Sequence, residues 1–359
     1  MGVALGPSQI PADWAAVTPE WMTAAIEGRH PDARVSEVSL LMTDDGTNRR
    51  ARFGLRYCAG SGPEVVFMKA EGVHREVHAR NGNMFNEPDL FASGVQLGVD
   101  HPLAYRVLID RAGLDYLIVM EDVTRRGADP RDATRPMNVD QVANGLRGLA
   151  RLHSRYWGFT EVTRPELAWV QTWQATEGYL GPLRERVPAG LQRFTGHLPG
   201  AVSTYGTDKI VDFLARFMTS LASGPMTLLH GDPHVGNTYV LSDDDVGFLD
   251  WQVVRRGNWS HDVGYFLISA LTLEDRRSSE ADLVEGYREA LEVPDAHRPS
   301  SEEAWLRYRA SPAYGLGVWL ATLGVDTAQS REVCLALSER YAAAFSELGT
   351  AEALATLGF

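Results

Sequence analysis

The sequence predicts an α+β fold of two lobes, a smaller N-terminal lobe (1–123) built on an antiparallel sheet and a larger, mostly α-helical C-terminal lobe (124–359). Three observations lead there. The length, 359 residues, suits two domains. The first third carries apolar runs of strand length at 40–53, 65–70 and 116–123, set off by turn residues. From Val142 onward the apolar residues recur instead at the three- and four-residue spacing of helices.

Taken in order, Thr18-Pro19-Glu20-Trp21 signals a helix start, with Thr18 as N-cap and Pro19 at the first helical position. Leu40 to Phe53 reads as strand, turn, strand, with Gly46, Thr47 and Asn48 in and beside the turn. Val65-Val66-Phe67-Met68-Lys69-Ala70 has the length and residue types of a buried strand, so the charge on Lys69 requires a partner. Lys69 and Lys209 are the only two lysines among 34 basic residues, which makes a compact ammonium here a specific choice. Two glutamates could pair with it. Glu87 lies near a helix start where Pro88 is tolerated in the first turn, and Glu76 is the rival. Tyr116 to Val123 is an apolar strand running out through Glu121 and Asp122, and 124–136 is loop.

Val142, Leu146, Leu149, Ala150, His153 and Tyr156 share one face of a long helix, on which His153 reads as a core histidine. The segment 163–200, with several Pro and Gly, is expected to be irregular; 208–222 is helical and Met226 to Leu229 is a strand. Asp262 suits a helix N-cap for Val263 onward. After Pro299 the chain is helical and rich in aromatics, among them Trp305, Tyr308, Tyr314, Trp319 and Tyr341.

Chemistry concentrates at His230-Gly231-Asp232-Pro233-His234-Val235-Gly236-Asn237 and the hairpin that follows it to Asp250. If Leu241 pairs with Val246 across the turn Ser242–Asp245, the antiparallel register also sets Asn237 opposite Asp250, about 4.5–5.5 Å apart. An amide oxygen and a carboxylate would then stand side by side. These are hard ligands of the kind Mg²⁺ takes together with phosphates. Asp232 lies on the loop that enters the hairpin.

The spacing H-x-D-x-x-x-x-N followed by a hairpin Asp is that of a kinase catalytic loop, and His230, Asp232, Asn237 and Asp250 fill its four positions. With HGD in place of HRD and LDWQ in place of DFG, the chain resembles the aminoglycoside phosphotransferase and choline kinase superfamily. LLHGDPHVGN and the stretch 259–267 look most like its ecdysteroid-kinase-like branch. The resemblance runs from about Val35 to Phe266. It implies a bilobal protein-kinase-like fold that uses ATP and Mg²⁺. By the same resemblance Lys69, braced by Glu87, holds the phosphates, and the backbone near Gly46, Thr47 and Asn48 covers them. Glu121 and Val123 would bond the adenine through main chain, and Asn237 and Asp250 would bind the metal. Asp232 would take or orient the proton of the acceptor hydroxyl. His230 is expected to support the loop, Asp262 to brace it from below, and His234 has no assigned role. An ordinary hairpin explains 40–53 equally well.

Composition bounds the partners. Apolar residues at 44% and charged residues at 23% describe an ordinary globular protein, and no run approaches a membrane span. A formal net charge of −13 disfavours nucleic acid and anionic membranes. Cys58 and Cys334 make no disulfide framework, and the N-terminal stretch lacks the features of a signal peptide, which suits a cytoplasmic enzyme. The expected activity is transfer of the γ-phosphate of ATP to a hydroxyl of a small molecule. Two other readings are a catalytically silent nucleotide-binding module and a metallophosphoesterase built on Asp232 and His234. Motif and fold do not select the acceptor.

Overall fold

The computed structural model describes residues 9–45, 48–72, 75, 78, 82–197, 199–326 and 329–359. Gly46, Thr47 and Glu76 lie outside the described residues. The chain divides into two compact units. One comprises the described residues up to Val95 together with His101–Ala128, and the other Gln96–Asp100 with Asp129–Phe359.

The first unit begins with the helix Pro19–Ile26, capped by the Thr18 hydroxyl, which accepts from the Trp21 amide at 3.2 Å. Its sheet is antiparallel throughout: β1 (Arg34–Asp45), β2 (Arg49–Ala59), β3 (Val65–Ala70), β4 (Ala104–Asp110) and β5 (Asp115–Glu121), in the order β1-β2-β3-β5-β4. Alternation along the strands sorts the side chains. Val66, Met68 and Ala70 of β3 and Leu117 and Val119 of β5 share one core with Trp21, Met22 and Ile26 of the helix. Tyr116, Ile118 and Met120 point the other way, with Phe67, Phe85 and Phe91 packed on them. Lys69 sits between Met68 and Ala70, so the period of two places it on this second face, in register with Ile118. The helix Asn86–Ala92 packs there, and Glu87 and Pro88 occupy its first turn.

The second unit is mainly helical. Val139–Arg155 starts at a capping box of Asn138 and Gln141 and buries Leu146, Leu149 and Leu152. Thr207–Ser220, Ser260–Ala270, Leu273–Glu289, Ser301–Ala310, Pro312–Leu323 and Arg331–Glu347 follow. Five short strands, β6 (Asp129–Pro130), β7 (Met226–Leu229), β8 (Thr238–Val240), β9 (Val246–Phe248) and β10 (Arg255–Asn258), form two small antiparallel sheets, β6-β8-β9 and β7-β10. Residues 96–100 contribute to this unit from earlier in the chain. The Gln96 carbonyl accepts from the Tyr156 hydroxyl at 2.8 Å, and the Asp100 carbonyl accepts from the Phe248 amide at 2.9 Å. Among the described residues no helix is long and apolar enough to cross a membrane.

Two local expectations need correction. Within 163–200, residues Glu177–Arg193 form a helix that runs through Pro182 and Pro188. Packing overrides the two prolines. Leu180, Val187 and Gly190 are buried, and a Cβ on Gly190 would stand 1.8 Å from the Leu320 carbonyl oxygen of the neighbouring helix. The hairpin register is also one residue tighter than expected. Val240 faces Val246 and Thr238 faces Phe248, so Leu249, not Asp250, lies opposite Asn237. The turn has three residues, Ser242–Asp244, because Asp244 adopts a left-handed conformation (φ +62°) and the Leu241 amide reaches the Asp245 carbonyl at 2.9 Å.

Candidate active site

The loop that follows β7 is held from beneath by one carboxylate. Asp262, the third residue of the helix Ser260–Ala270, accepts from the His230 amide at 2.7 Å and the Gly231 amide at 3.0 Å. It does not cap its own helix, where Trp259 occupies the N-cap position without a side-chain bond. His153 Nε2 lies 3.2 Å from the same carboxylate, and His153 Nδ1 lies 2.7 Å from the Tyr287 hydroxyl. His261 Nε2 donates to the Gly231 carbonyl at 2.8 Å. Gly231 itself is left-handed (φ +85°), and any Cβ would sit 2.0 Å from the Val253 carbonyl oxygen, so both conformation and space require glycine.

His230 ties this loop to the hairpin. Its Nε2 donates to the Leu249 carbonyl at 2.8 Å, and its Nδ1 accepts from the Asp232 amide at 3.2 Å. That pairing requires a neutral ring with the proton on Nε2. Asn237 donates from Nδ2 both to the Asp232 carbonyl (2.9 Å) and to Asp232 Oδ2 (3.1 Å). With the amide nitrogen spent on two oxygens, Oδ1 is the atom left to meet a cation. Asp250 follows immediately in a left-handed conformation (φ 59°, ψ 67°). A non-glycine residue held there costs roughly 1–3 kcal/mol, and such outliers cluster where function demands them. Half-buried hard oxygens on Asn237 and Asp250 suit Mg²⁺ better than a softer ion.

Burial pushes His230, His234 and His261 all below the ordinary histidine value, His234 to about 4. In the unfolded chain these rings take up protons below about pH 6.5, whereas the folded protein refuses them. Stability is therefore unaffected above that pH and declines as pH falls from 6.5 toward 4, by roughly 3 kcal/mol from His234 alone. Urea titrations at stepped pH on the wild type and on His234→Gln measure this. The variant should show a shallower decline, and an identical decline would contradict the assignment. Asp262 is held below the usual carboxyl range. Burial pushes it up, but the hydrogen bond and charge of His153, together with His261 and His230, outweigh that.

In the first unit Lys69 Nζ meets Glu87 Oε2 at 2.5 Å, both side chains buried. Asn48 is buried and its amide donates to the Tyr116 hydroxyl at 2.9 Å. The Glu121 amide donates to the Leu103 carbonyl at 2.8 Å, and its carboxylate pairs with Arg126 at 2.9 Å. Val123 is buried at the start of a short helical turn capped by Asp122. Asp232, Asn237 and Asp250 belong to the second unit.

Two of the C-terminal aromatics singled out in the sequence, Tyr314 and Trp319, belong to an aromatic group near Asp232. Trp173, Tyr179 and Tyr265 join Tyr314 and Trp319 there. Ring centroids are 5.6 Å apart for Trp173 and Tyr314 and 5.2 Å for Tyr265 and Tyr314, and His234 stands edge-on to Trp319 at 5.1 Å. Arg255 lies over Trp173, its Cζ 5.6 Å from the ring centre. These residues come from four separate segments with no common local pattern. Only Arg255, a cation in a strand, carried the kind of signal that singled out Lys69.

The model of the family described as "Phosphotransferase enzyme family" matches residues 85–300, more than half of the chain. Two solved structures are similar in fold. A spectinomycin phosphotransferase in complex with ADP and spectinomycin is 13% identical, with 95% of this chain and 99% of that one covered at a TM-score of 0.51. An ethanolamine kinase of Plasmodium vivax is 10% identical, with 87% and 83% covered at a TM-score of 0.50. No curated protein matches the chain.

Proposed function

The chain belongs to the phosphotransferase enzyme family, and from that premise we propose that it is an ATP-dependent kinase acting on a hydroxyl of a small molecule. The observation that carries the reading is the pair of bonds from Asn237 Nδ2 to Asp232, which fixes a half-buried carboxylate on a loop clamped by His230 and Asp262. The acceptor oxygen attacks the γ-phosphorus, the bond to the β–γ bridging oxygen breaks, ADP departs, and the hydroxyl proton passes to Asp232. Asn237 and Asp250 would hold Mg²⁺, which supplies charge neutralisation on the phosphates. Lys69, oriented by Glu87, would bind phosphate oxygens, the backbone of Gly46, Thr47 and Asn48 would cover them, and the main chain of Glu121 and Val123 would take the adenine. Most of the rate enhancement then comes from positioning and electrostatics.

Within the family, LLHGDPHVGN and the stretch 259–267 favour the ecdysteroid-kinase-like branch. A spectinomycin phosphotransferase caught with ADP supports nucleotide use. We place the enzyme in the cytoplasm, where ATP is available. The test is ADP release from Mg-ATP across aminoglycosides, macrolides, sterols, hydroxy acids, choline and sugars. Release that depends on one class is expected, and failure to bind ATP at all would falsify the reading.

Lys69 offers a separate check. Lys69→Met should raise KM for Mg-ATP at least about tenfold, and it should also destabilise the fold because a buried carboxylate loses its cation. Adding Glu87→Gln should recover thermal stability without recovering KM. If both recover together, Lys69 serves only the fold.

A further inference from the structure

The acceptor class can be read from the surroundings of Arg255, given the phosphotransferase reading above. We propose that the acceptor is a hydroxylated organic acid, its carboxylate held by Arg255 and its carbon body lying against Trp173, Tyr179 and Tyr314.

Arg255 opens β10 in register with Leu229, the residue before His230, so the ladder sets it beside the catalytic loop. It is only 8% exposed. Three other arginines are buried as deeply, and each is held by a carboxylate or by two carbonyls. Arg276 pairs with Glu280 at 2.7 Å, Arg307 with Glu303 at 2.9 Å, and Arg340 donates to two carbonyls, those of Ser269 and Ala133. Arg255 donates from Nη1 to the Val254 carbonyl at 3.0 Å, and among the described residues no carboxylate pairs with it. A buried guanidinium with one carbonyl and an aromatic face retains most of its desolvation cost until an anion arrives.

Its neighbours have the same imbalance. The Trp173 indole N–H is buried without an acceptor. The Tyr179 and Tyr314 hydroxyls bond to each other at 3.0 Å, so one of them donates and the other keeps its own proton to give. Guanidinium, indole and phenol together make a donor-rich, acceptor-poor group, which matches a carboxylate. The neutral His261 adds one acceptor, Nδ1, which lacks a partner. Aromatic rings span the two ends. Ring contacts run from Trp173 to Tyr314 at 5.6 Å, on to Tyr265 at 5.2 Å and to His234 at 5.9 Å, two residues from Asp232. Burial, against the hydrogen bond with Tyr314, pushes the Tyr179 hydroxyl up to about 12, with the charges of Asp232 and Arg255 acting on it in opposite directions. An acid anchored at Arg255 therefore runs past Tyr179 toward the Asp232 carboxylate, where its hydroxyl is needed. The aromatic rings around Arg255 suit an organic skeleton rather than a phosphate chain.

The experiment compares hydroxymethylbenzoate, hydroxycaproate and hydroxydecanoate, each beside its methyl ester, by thermal shift and by ADP release with Mg-ATP. At least one acid should stabilise the enzyme and exceed its ester in kcat/KM by at least about tenfold, the least expected for loss of a buried charge partner. Arg255→Met should abolish that preference by raising KM for the acid while KM for ATP moves less than about twofold, and Arg255→Lys should restore part of it. Esters matching their acids, or no acid stabilising the wild type, would overturn the proposal. So would a rise in KM for ATP alone in Arg255→Met, which would assign the residue to the γ-phosphate. In each of these cases retained stabilisation by Mg-ATP leaves the kinase reading standing. A wild type that Mg-ATP does not stabilise sinks both.

Discussion

Asp232→Asn should lower acceptor-dependent ADP release by roughly 10²–10⁴-fold, the span over which a positioned proton acceptor acts, while Mg-ATP still protects the protein against heat. The lower half of that range is favoured, because phosphoryl transfer passes through a loose transition state in which the nucleophile's proton leaves late. The loop should survive the change. Asn237 keeps its 2.9 Å bond to the residue 232 carbonyl, and Asp262 and His230 hold the backbone on either side of it. Steady-state kinetics with both substrates varied is the check. The loss should fall on kcat with KM for ATP nearly unchanged. A variant retaining more than a tenth of wild-type turnover would remove Asp232 from the chemistry.

The second large effect is on stability. Asp262→Ala should cost roughly 3–5 kcal/mol, since it leaves two buried backbone N–H groups without an acceptor and takes the anion away from His153. Asp262→Asn should be nearly as damaging, because its NH₂ would face either an amide donor or the histidine. The folded carboxyl is depressed below its ordinary value of 3.8. Its stabilisation is thus fully present above about pH 4 and disappears as pH falls below that, through the native value. The histidine-linked decline begins two units higher, so the two separate along a pH series. Chemical denaturation of the wild type and Asp262→Ala at pH 7 and at pH 3 should show a difference that narrows in acid. A constant difference would mean the carboxylate acts by packing rather than by charge.

How much of this is legible in the chain depends on how local the cause is. The choice of Glu87 over Glu76 rested on the likeness of Glu87, Leu90 and Phe91 to the family's Glu-x-x-Phe-Tyr pattern, and Lys69 pairs with Glu87. Strand alternation around Lys69 was equally readable, because a period of two needs only neighbours. The hairpin register slipped by one because three consecutive aspartates, Asp243 to Asp245, follow Ser242 at the end of the hairpin, and sequence does not say which adopts the left-handed conformation. Asp244 does, which shortens the turn and moves Asp250 off the position opposite Asn237. The helix Glu177–Arg193 was hidden by Pro182 and Pro188, since its stability comes from the close fit of Gly190 against Leu320, more than a hundred residues away. Trp173, Tyr179 and Tyr265 were unreadable for the same reason: their grouping is a product of tertiary packing alone, and only Arg255, a cation in a strand, carried a local signal.

The excursion of residues 96–100 bears on how such a protein can be recombined. The strand β9 is bordered by the Asp100 backbone, and the Tyr239 hydroxyl of β8 donates to the Asp100 carboxylate. The helical unit is thus encoded in two stretches, the first only five residues long and embedded in the coding region of its companion. A chimera joined once, near Asp129, would inherit a hairpin whose bordering segment came from a foreign parent. Exchanging the helical unit between relatives therefore calls for three junctions rather than one, or for matching the five-residue segment to the graft.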